Sequence, residues 1–448
     1  MHFSTDKQTL DDLNIFGKRG GDSIFAIYNH THTDGGARIL EELFNYPLAD
    51  DKKINERSAI IKSFAASDIS FPFENELFRS AEQYLADHDE RTLLSPQVDD
   101  LRKKLTYLIA SDPAFKVIYK GVTALVSILQ TARQFIQTAS TESMVAYNAT
   151  SKLLKELLYD TAFEGLIGEK LSGKIVYGKV AEYDKLLRFR HRNKVLEILR
   201  HLYRLDVFLT IASVAIERKF VFPVALPKVA NALLLEGVYH PQVKNAIGNT
   251  IDMSSGSSVI FLTGANMAGK STFMKSFGTA MYLAHMGFPV AAAKMEFSVR
   301  DGIYTTINLP DDLSVGASHF YAEVLRIKKI AREINTKKYL FIIFDELFRG
   351  TNVKDAYEAT IAITSAFAQT RRALFVISTH IVEAGPVLRQ RHLNIRFKFL
   401  PTRMNGTRPV YPYKLEHGIT DDRHGMVIIN NEGIIEMLKQ HSPKNLPA

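Results

Sequence analysis

Residues 264–271 read Gly-Ala-Asn-Met-Ala-Gly-Lys-Ser, so Gly264 and Gly269 bracket a short loop that Lys270 and Ser271 close. In a loop of this pattern the backbone N–H groups and the following helix N-terminus point at phosphate oxygens. The lysine neutralises β- and γ-phosphate charge, and the hydroxyl reaches Mg²⁺. Further on, the apolar run Leu340–Phe344 ends in Asp345-Glu346. Such a pair suits nucleotide hydrolysis, with Asp345 holding Mg²⁺ through water and Glu346 orienting and deprotonating the attacking water. Two surface acids capping a strand are the plainer alternative, and the independent phosphate loop weighs against it. Ser378-Thr379-His380 closes a third apolar run and brings His380 within reach of a γ-phosphate.

These groups require a sheet whose strand ends lie side by side. Val259–Leu262, Leu340–Phe344 and Leu374–Ser378 are short runs rich in β-branched and aromatic residues, the pattern of strands buried on both faces of a parallel sheet. The C-terminal half is therefore expected to be α/β. From Leu77 to Ala215 apolar residues recur at helical spacing, as at Leu125, Ile128, Leu129 and Ile136. A second long helix is expected from about Val180 to Ile216, with a stripe of Leu186, Leu187, Val195, Leu196, Leu199, Leu202 and Leu205. Between them, Gly165, Gly168, Gly173 and Gly178 surround Lys174-Ile175-Val176-Tyr177, which reads as turns with a short strand. Phe222-Pro223 and Leu226-Pro227 end the helical pattern and mark the main domain boundary. The fold class is multidomain, α plus α/β.

At 448 residues the chain exceeds what one core organises comfortably. With 46% hydrophobic and 23% charged residues it is not disordered in character. The absence of cysteine excludes disulfides, thiolate metal sites and a cysteine nucleophile together. No signal-peptide pattern opens the chain and no apolar run approaches the ~18 residues of a spanning helix, so a soluble, cytoplasmic protein is expected. The +8 net charge permits a nucleic-acid partner and serves solubility equally well.

The motifs resemble the ATPase domain of the MutS mismatch-repair proteins, relatives of the ATP-binding-cassette superfamily. Val259–Met274, VIFLTGANMAGKSTFM, is similar to the family's strand, Thr-Gly-Pro-Asn-Met-Gly-Gly-Lys-Ser-Thr loop and helix start. Asp311–Phe320, continuing to Glu323, resembles its signature loop. Phe344–Thr351 resembles the Asp-Glu strand followed by Gly-Arg-Gly-Thr, and Tyr239-His240-Pro241 the Arg-His-Pro that opens the domain. Upstream, Asn29–Thr33 with Gly35–Arg38, and Leu205–Ala215, look like parts of the helical core and second lever helix. The resemblance implies ATP and Mg²⁺ as cofactors. Gly264, Ala265, Asn266, Met267, Ala268, Gly269, Lys270, Ser271, Thr272 and His240 would bind nucleotide, with Ser271 and Asp345 on the metal. Glu346 and His380 would act in catalysis. Ser318 would reach the γ-phosphate of the second subunit in a homodimer formed through the ATPase domain. The implied layout is a helical core over 1–110, lever helices with a reduced clamp over 111–222, and a P-loop ATPase over 223–448.

Several residues depart from the family pattern. No Phe-x-Glu mismatch reader is present apart from Phe344-Asp345-Glu346, and the stretch between the long helices is short for a DNA clamp. Ala265 and Ala268 replace proline and glycine, and His319 replaces threonine. Arg188, Arg190, His191, Arg192, Lys194, Arg200 and Arg204 form a basic run that is either a solvated helix face or a backbone-directed DNA contact. His30 and His32 lack an evident third metal ligand. The expected function is ATP hydrolysis coupled to dimer closure, associated with DNA in mismatch repair or recombination. The alternative is an ATP-gated protein-interaction switch without DNA. A small-molecule kinase fits less well, because the acidic pair suits water as acceptor.

Overall fold

Short continuous apolar runs, buried on both faces, dictate the main sheet. In the computed structural model, which describes residues 3–17, 21–94, 113–138, 145–307, 319–406, 408–420, 433–434 and 437–438, all three runs are strands. The strands are Val224–Leu226 (β1), Leu233–Val238 (β2), Asn249–Met253 (β3), Val259–Gly264 (β4), Lys294–Ser298 (β5), Gly302–Thr306 (β6), Leu340–Phe344 (β7), Ala373–Ser378 (β8), Ile395–Leu400 (β9), Arg403–Asn405 (β10), Arg408–Val410 (β11) and Glu416–His417 (β12). The chain is thus mixed α/β, and it divides into two compact units. One comprises Met1–Phe25, Tyr46–Asn55 and Lys219–Ala448; the other comprises Ala26–Asn45 and Glu56–Arg218.

The first unit holds every strand among the described residues. Its six-stranded sheet runs β12-β9-β4-β8-β7-β6, parallel from β9 to β6, with β12 antiparallel at one edge. A four-stranded sheet, β1-β5-β2-β3, is mixed, and β10 and β11 form a hairpin. Residues of β4, β6, β7 and β8 are buried throughout, because helices cover both faces. Val259, Phe261, Ile342, Phe344, Phe375 and Ile377 share a core with the helices His319–Asn335, Val353–Ala368 and Ala384–Arg391. Phe367 lies between Phe344 and Phe375 at ring distances of 5.6 and 4.5 Å, and truncating it would cost about 3–5 kcal/mol. On the opposite face Phe277, from the helix Lys270–His285, meets Phe341 at 4.8 Å.

Residues before Phe25, expected at the head of a helical core, belong to this unit. Ser4 bridges Gly302 in parallel and so covers the open edge of β6. Asp6 caps the helix Lys7–Asp12 by accepting from the Thr9 N–H, and it also pairs with Arg326 and Lys329. Thr305 donates its N–H to Thr9 Oγ1 at 3.0 Å and its hydroxyl to Asp12 Oδ2 at 2.7 Å. Burial raises the pKa of Asp6, but the two cations outweigh it and hold the carboxyl far below the usual range.

The second unit is helical. Asn75–Ala86 lies so close to Pro113–Thr138 that a Cβ on Gly121 would sit 2.1 Å from the Tyr84 Cβ. Leu125, Ile128, Leu129 and Ile136 are buried as their spacing requires. The second long helix differs from expectation. Tyr177–Asp184 continues through a wider π-type stretch, Lys185–Arg190, and the chain bends at His191 before Arg192–Arg218 begins. The stripe therefore shifts phase, and Leu196 is exposed. Residues 174–176 form no strand; Ile175 instead donates its N–H to the Tyr119 hydroxyl at 3.2 Å. Among the described residues no helix is long and apolar enough to cross a membrane.

Candidate functional site

The Gly264–Ser271 loop leaves the carboxyl end of β4 and enters the helix Lys270–His285 through backbone that few residues adopt. Gly264 has φ +142°, Met267 +70° and Gly269 +95°. Glycine is required at 269 twice over, since a Cβ there would also meet the Tyr413 ring at 3.0 Å. Met267 bears the left-handed conformation without that freedom, at a cost of roughly 1–2 kcal/mol, and its side chain is exposed. Lys270 is buried and its ammonium donates to the carbonyls of Gly264 at 2.7 Å and Ala265 at 3.1 Å. Burial lowers its pKa, against the opposing pull of Asp345 and Glu346. Ser271 and Thr272 are exposed in the first helical turn, while Asn266 is exposed and Ala268 buried in the loop.

Both acids directly follow strand β7, which is separated from β4 by β8 alone. Ser271 Oγ donates to Asp345 Oδ2 at 2.5 Å. The other oxygen, Oδ1, is buried without a hydrogen-bond partner, and the buried Ser378 hydroxyl lies near the carboxyl group. Burial raises the pKa of Asp345, with Ser271 and Ser378 opposing. An acceptor that is desolvated and incompletely satisfied beside a serine hydroxyl is a donor set suited to a hard divalent cation. Among the described residues no cluster of three or more histidine and acidic side chains could hold a metal alone, so a cation here would draw remaining ligands from water and phosphate.

Glu346 lies in the left-handed region, φ +53°, as does Phe348, φ +64°. His380 Nε2 donates to Glu346 Oε1 at 2.7 Å, and Arg349 Nη1 to Oε2 at 2.9 Å. Burial raises the Glu346 pKa, but these two partners outweigh it and the net shift is downward. The arrangement is an ionised carboxylate held at both oxygens, with strained backbone where strain is commonly tied to function.

His240, expected to bind nucleotide, lines a cavity of about 310 Å³ beside the loop with Ile247, Gly269, Thr272, Phe273 and Tyr413. Burial and the nearby Lys275 lower its pKa, which favours neutral imidazole. Tyr413 went unrecognised in the sequence. It is placed by Asn249, whose amide donates to the Tyr413 carbonyl at 2.9 Å and accepts from the Leu415 N–H at 2.7 Å. No local signal marks either residue, since the contact joins β3 to a segment far along the chain. Arg349 and Ser378 lie inside the motifs that the sequence shows, but nothing in the sequence gives either a role. Ser318 and Asp311–Ala317 lie outside the described residues.

The basic run of the second unit divides, with some of its members spent internally and others on the open face. Arg188 is 1% exposed and donates to Asp184 at 2.9 Å. Arg192 donates to the Leu85 carbonyl, and Lys194 pairs with Asp160. Arg190, Arg200 and Arg204 remain exposed. Basic and acidic residues balance in this unit, so the chain's +8 excess resides in the other. His32 is committed to Asp206, with Nδ1 3.1 Å from Oδ1.

A family model described as MutS domain V matches residues 260–444. The DNA mismatch repair protein MutS of Petrotoga mobilis is 24% identical over 97% of this chain and 64% of its own length. That of Thermotoga maritima is 24% identical over 96% of the chain and 63% of its length, and that of Thermus aquaticus 26% over 87% and 57%. The chain thus spans 57–64% of the length of these curated relatives, less than two thirds of each.

Proposed function

Because this chain is a MutS-family protein, we propose that its sheet-bearing unit binds and hydrolyses ATP with Mg²⁺ and that the chain acts on DNA in mismatch repair or recombination. The observation that carries the reading is the convergence of Lys270, Ser271, Asp345, Glu346 and His380 at the carboxyl ends of β4, β7 and β8. Ligands of open α/β sheets bind at that edge.

In this reading Lys270 exchanges its two carbonyl acceptors for phosphate oxygens, and the loop N–H groups surround the same phosphates. Ser271 and Asp345 hold Mg²⁺, which when bound withdraws charge from the phosphates. Glu346 orients a water molecule and takes its proton, while Arg349 and His380 keep the carboxylate ionised and fixed. The cavity lined by His240 and Tyr413 takes the base. A second copy contributes Ser318 across the nucleotide, so binding energy is converted into closure of a homodimer.

Glu346→Gln tests the catalytic reading. ATP binding should persist, dimers should accumulate and turnover should fall at least about a hundredfold; unchanged turnover removes Glu346 from the role. The DNA reading is tested by titrating homoduplex, mismatched and four-way-junction DNA at low and physiological salt, with and without a non-hydrolysable ATP analogue. The internal pairing of Arg188, Arg192 and Lys194 favours a second reading, an ATP-gated switch acting on a protein partner. Absence of DNA binding at every salt concentration would select it.

A further inference from the structure

We infer that Phe348 is a positioning residue for Glu346, coupling the turn that bears the carboxylate to the helix His319–Asn335 through its ring contact with Phe320. The inference rests on the reading of Glu346 as the group that activates water.

Three observations meet at this turn. First, Glu346 and Phe348 both hold left-handed backbone, with only Leu347 between them. Such conformations persist in non-glycine residues where surrounding structure over-determines them. Glycine would adopt the conformation at 348 without steric opposition, and the family pattern that this segment resembles has glycine there. The backbone alone therefore does not account for phenylalanine. Second, the ring is buried, 4% exposed, in a core with Leu347, Ala356 and Ile377, and lies 6.0 Å from the Phe320 ring at an interplanar angle of 52°. Phe320 occupies the first turn of the helix His319–Asn335. Third, the turn is pinned on both sides. Asp345 donates its N–H to the Thr306 carbonyl at 2.8 Å and Leu347 to that of Ser378 at 3.1 Å.

With Asp345 and Leu347 held by these bonds, what lies beneath Phe348 sets how the turn leaves Glu346 on its far side. Glu346 precedes it by two residues and Arg349 follows directly, so a shift of the ring moves the carboxylate and one of its clamps relative to His380. A shift of the helix passes through Phe320 to the same place. Geometry at the carboxylate is thus read from the helix, not from the strand alone.

The test compares steady-state ATP turnover of the full chain with Phe348→Gly, Phe348→Leu, Phe320→Ala and the Phe348→Gly/Phe320→Ala double variant, across pH. Phe348→Gly and Phe320→Ala should each lower kcat about tenfold with KM for ATP within about twofold, and the double variant should be no worse than the poorer single, as expected of coupled neighbours. The acid limb of kcat should move to higher pH, and Phe348→Leu should recover most of the rate. Full kcat in Phe348→Gly, or effects that multiply in the double variant, overturns the inference. Should Phe348→Gly fail to fold, by its melting transition, Phe320→Ala and Phe348→Leu decide: normal kcat and acid limb in Phe320→Ala overturn it. Glu346→Gln in the same assay separates the premises. Retained turnover there removes both the catalytic reading and this inference, whereas its loss beside full activity in Phe348→Gly removes the inference alone.

Discussion

The Nε2 nitrogen of His380 lies 2.7 Å from Oε1 of Glu346, and the residues come from adjacent strands, β8 and β7. With Arg349 on the second oxygen, the carboxylate is depressed in pKa although burial alone would raise it. A carboxylate held in this way remains ionised as pH falls, until the pH reaches its lowered pKa. Removing a clamp raises that pKa, so Arg349→Gln and His380→Asn should each begin losing kcat at higher pH than the parent on the acid side. Turnover measured from pH 4 to 8 checks this; an unmoved acid limb means the two partners do not tune Glu346.

Asp345 behaves oppositely, its pKa raised by burial. A cation held by Asp345 in the proposed way would compete with protonation there, so Mg²⁺ affinity in the presence of ATP should weaken as pH drops, beginning above the ordinary aspartate range. Asp345→Asn should flatten that dependence and raise the Mg²⁺ requirement at least about tenfold. Calorimetric titration of Mg²⁺ at several pH values is the measurement.

Asp6 links the amino-terminal strap to Arg326 and Lys329. Its folded pKa is depressed, so its stabilisation is fully present above the unfolded aspartate value and is lost as pH falls toward the folded one. Asp6→Asn should cost about 3 kcal/mol at neutral pH, the order seen when one partner of a buried pair is removed. The difference from the parent should shrink below about pH 4. Urea unfolding at pH 7 and pH 3 reads both values, and an equal deficit at the two pH values would rule out the charge pairing as its source.

Asp206 is fully buried and accepts from the His32 N–H at 3.0 Å, the Thr33 N–H at 2.8 Å and the Thr33 hydroxyl at 2.7 Å. It thereby anchors the entrance to the helix Asp34–Asn45. Asp206→Ala leaves these donors unmatched and should destabilise the helical unit by about 3–5 kcal/mol, with Asp206→Asn intermediate. Hydrogen exchange should show the loss concentrated at residues 32–45, and uniform protection would contradict the anchoring role.

The phosphate loop, the acidic pair and His380 were legible because each lies in or at the end of a contiguous apolar strand. Their side chains meet once β4, β8 and β7 pair in order. The basic run was legible only in part. Arg188 faces inward, where Asp184 one turn before it and the hydroxyl and carbonyl of Thr92 take its donors, and a run of cations in the sequence does not show which of them meets such acceptors.

What the amino-acid order determined by itself is therefore local: which segments are strands and helices, and which short motifs set a glycine-bracketed loop, a lysine, paired acids and a histidine at strand ends, since these follow from neighbouring residue types and backbone periodicity. Tertiary structure alone decided that Tyr413 closes the cavity beside Gly269, that the amino terminus straps β6, that Arg188 is spent on Thr92 and that Phe348 rests on Phe320. Each of these depends on packing or hydrogen bonding as the folded backbone presents it, and no local residue preference encodes that geometry.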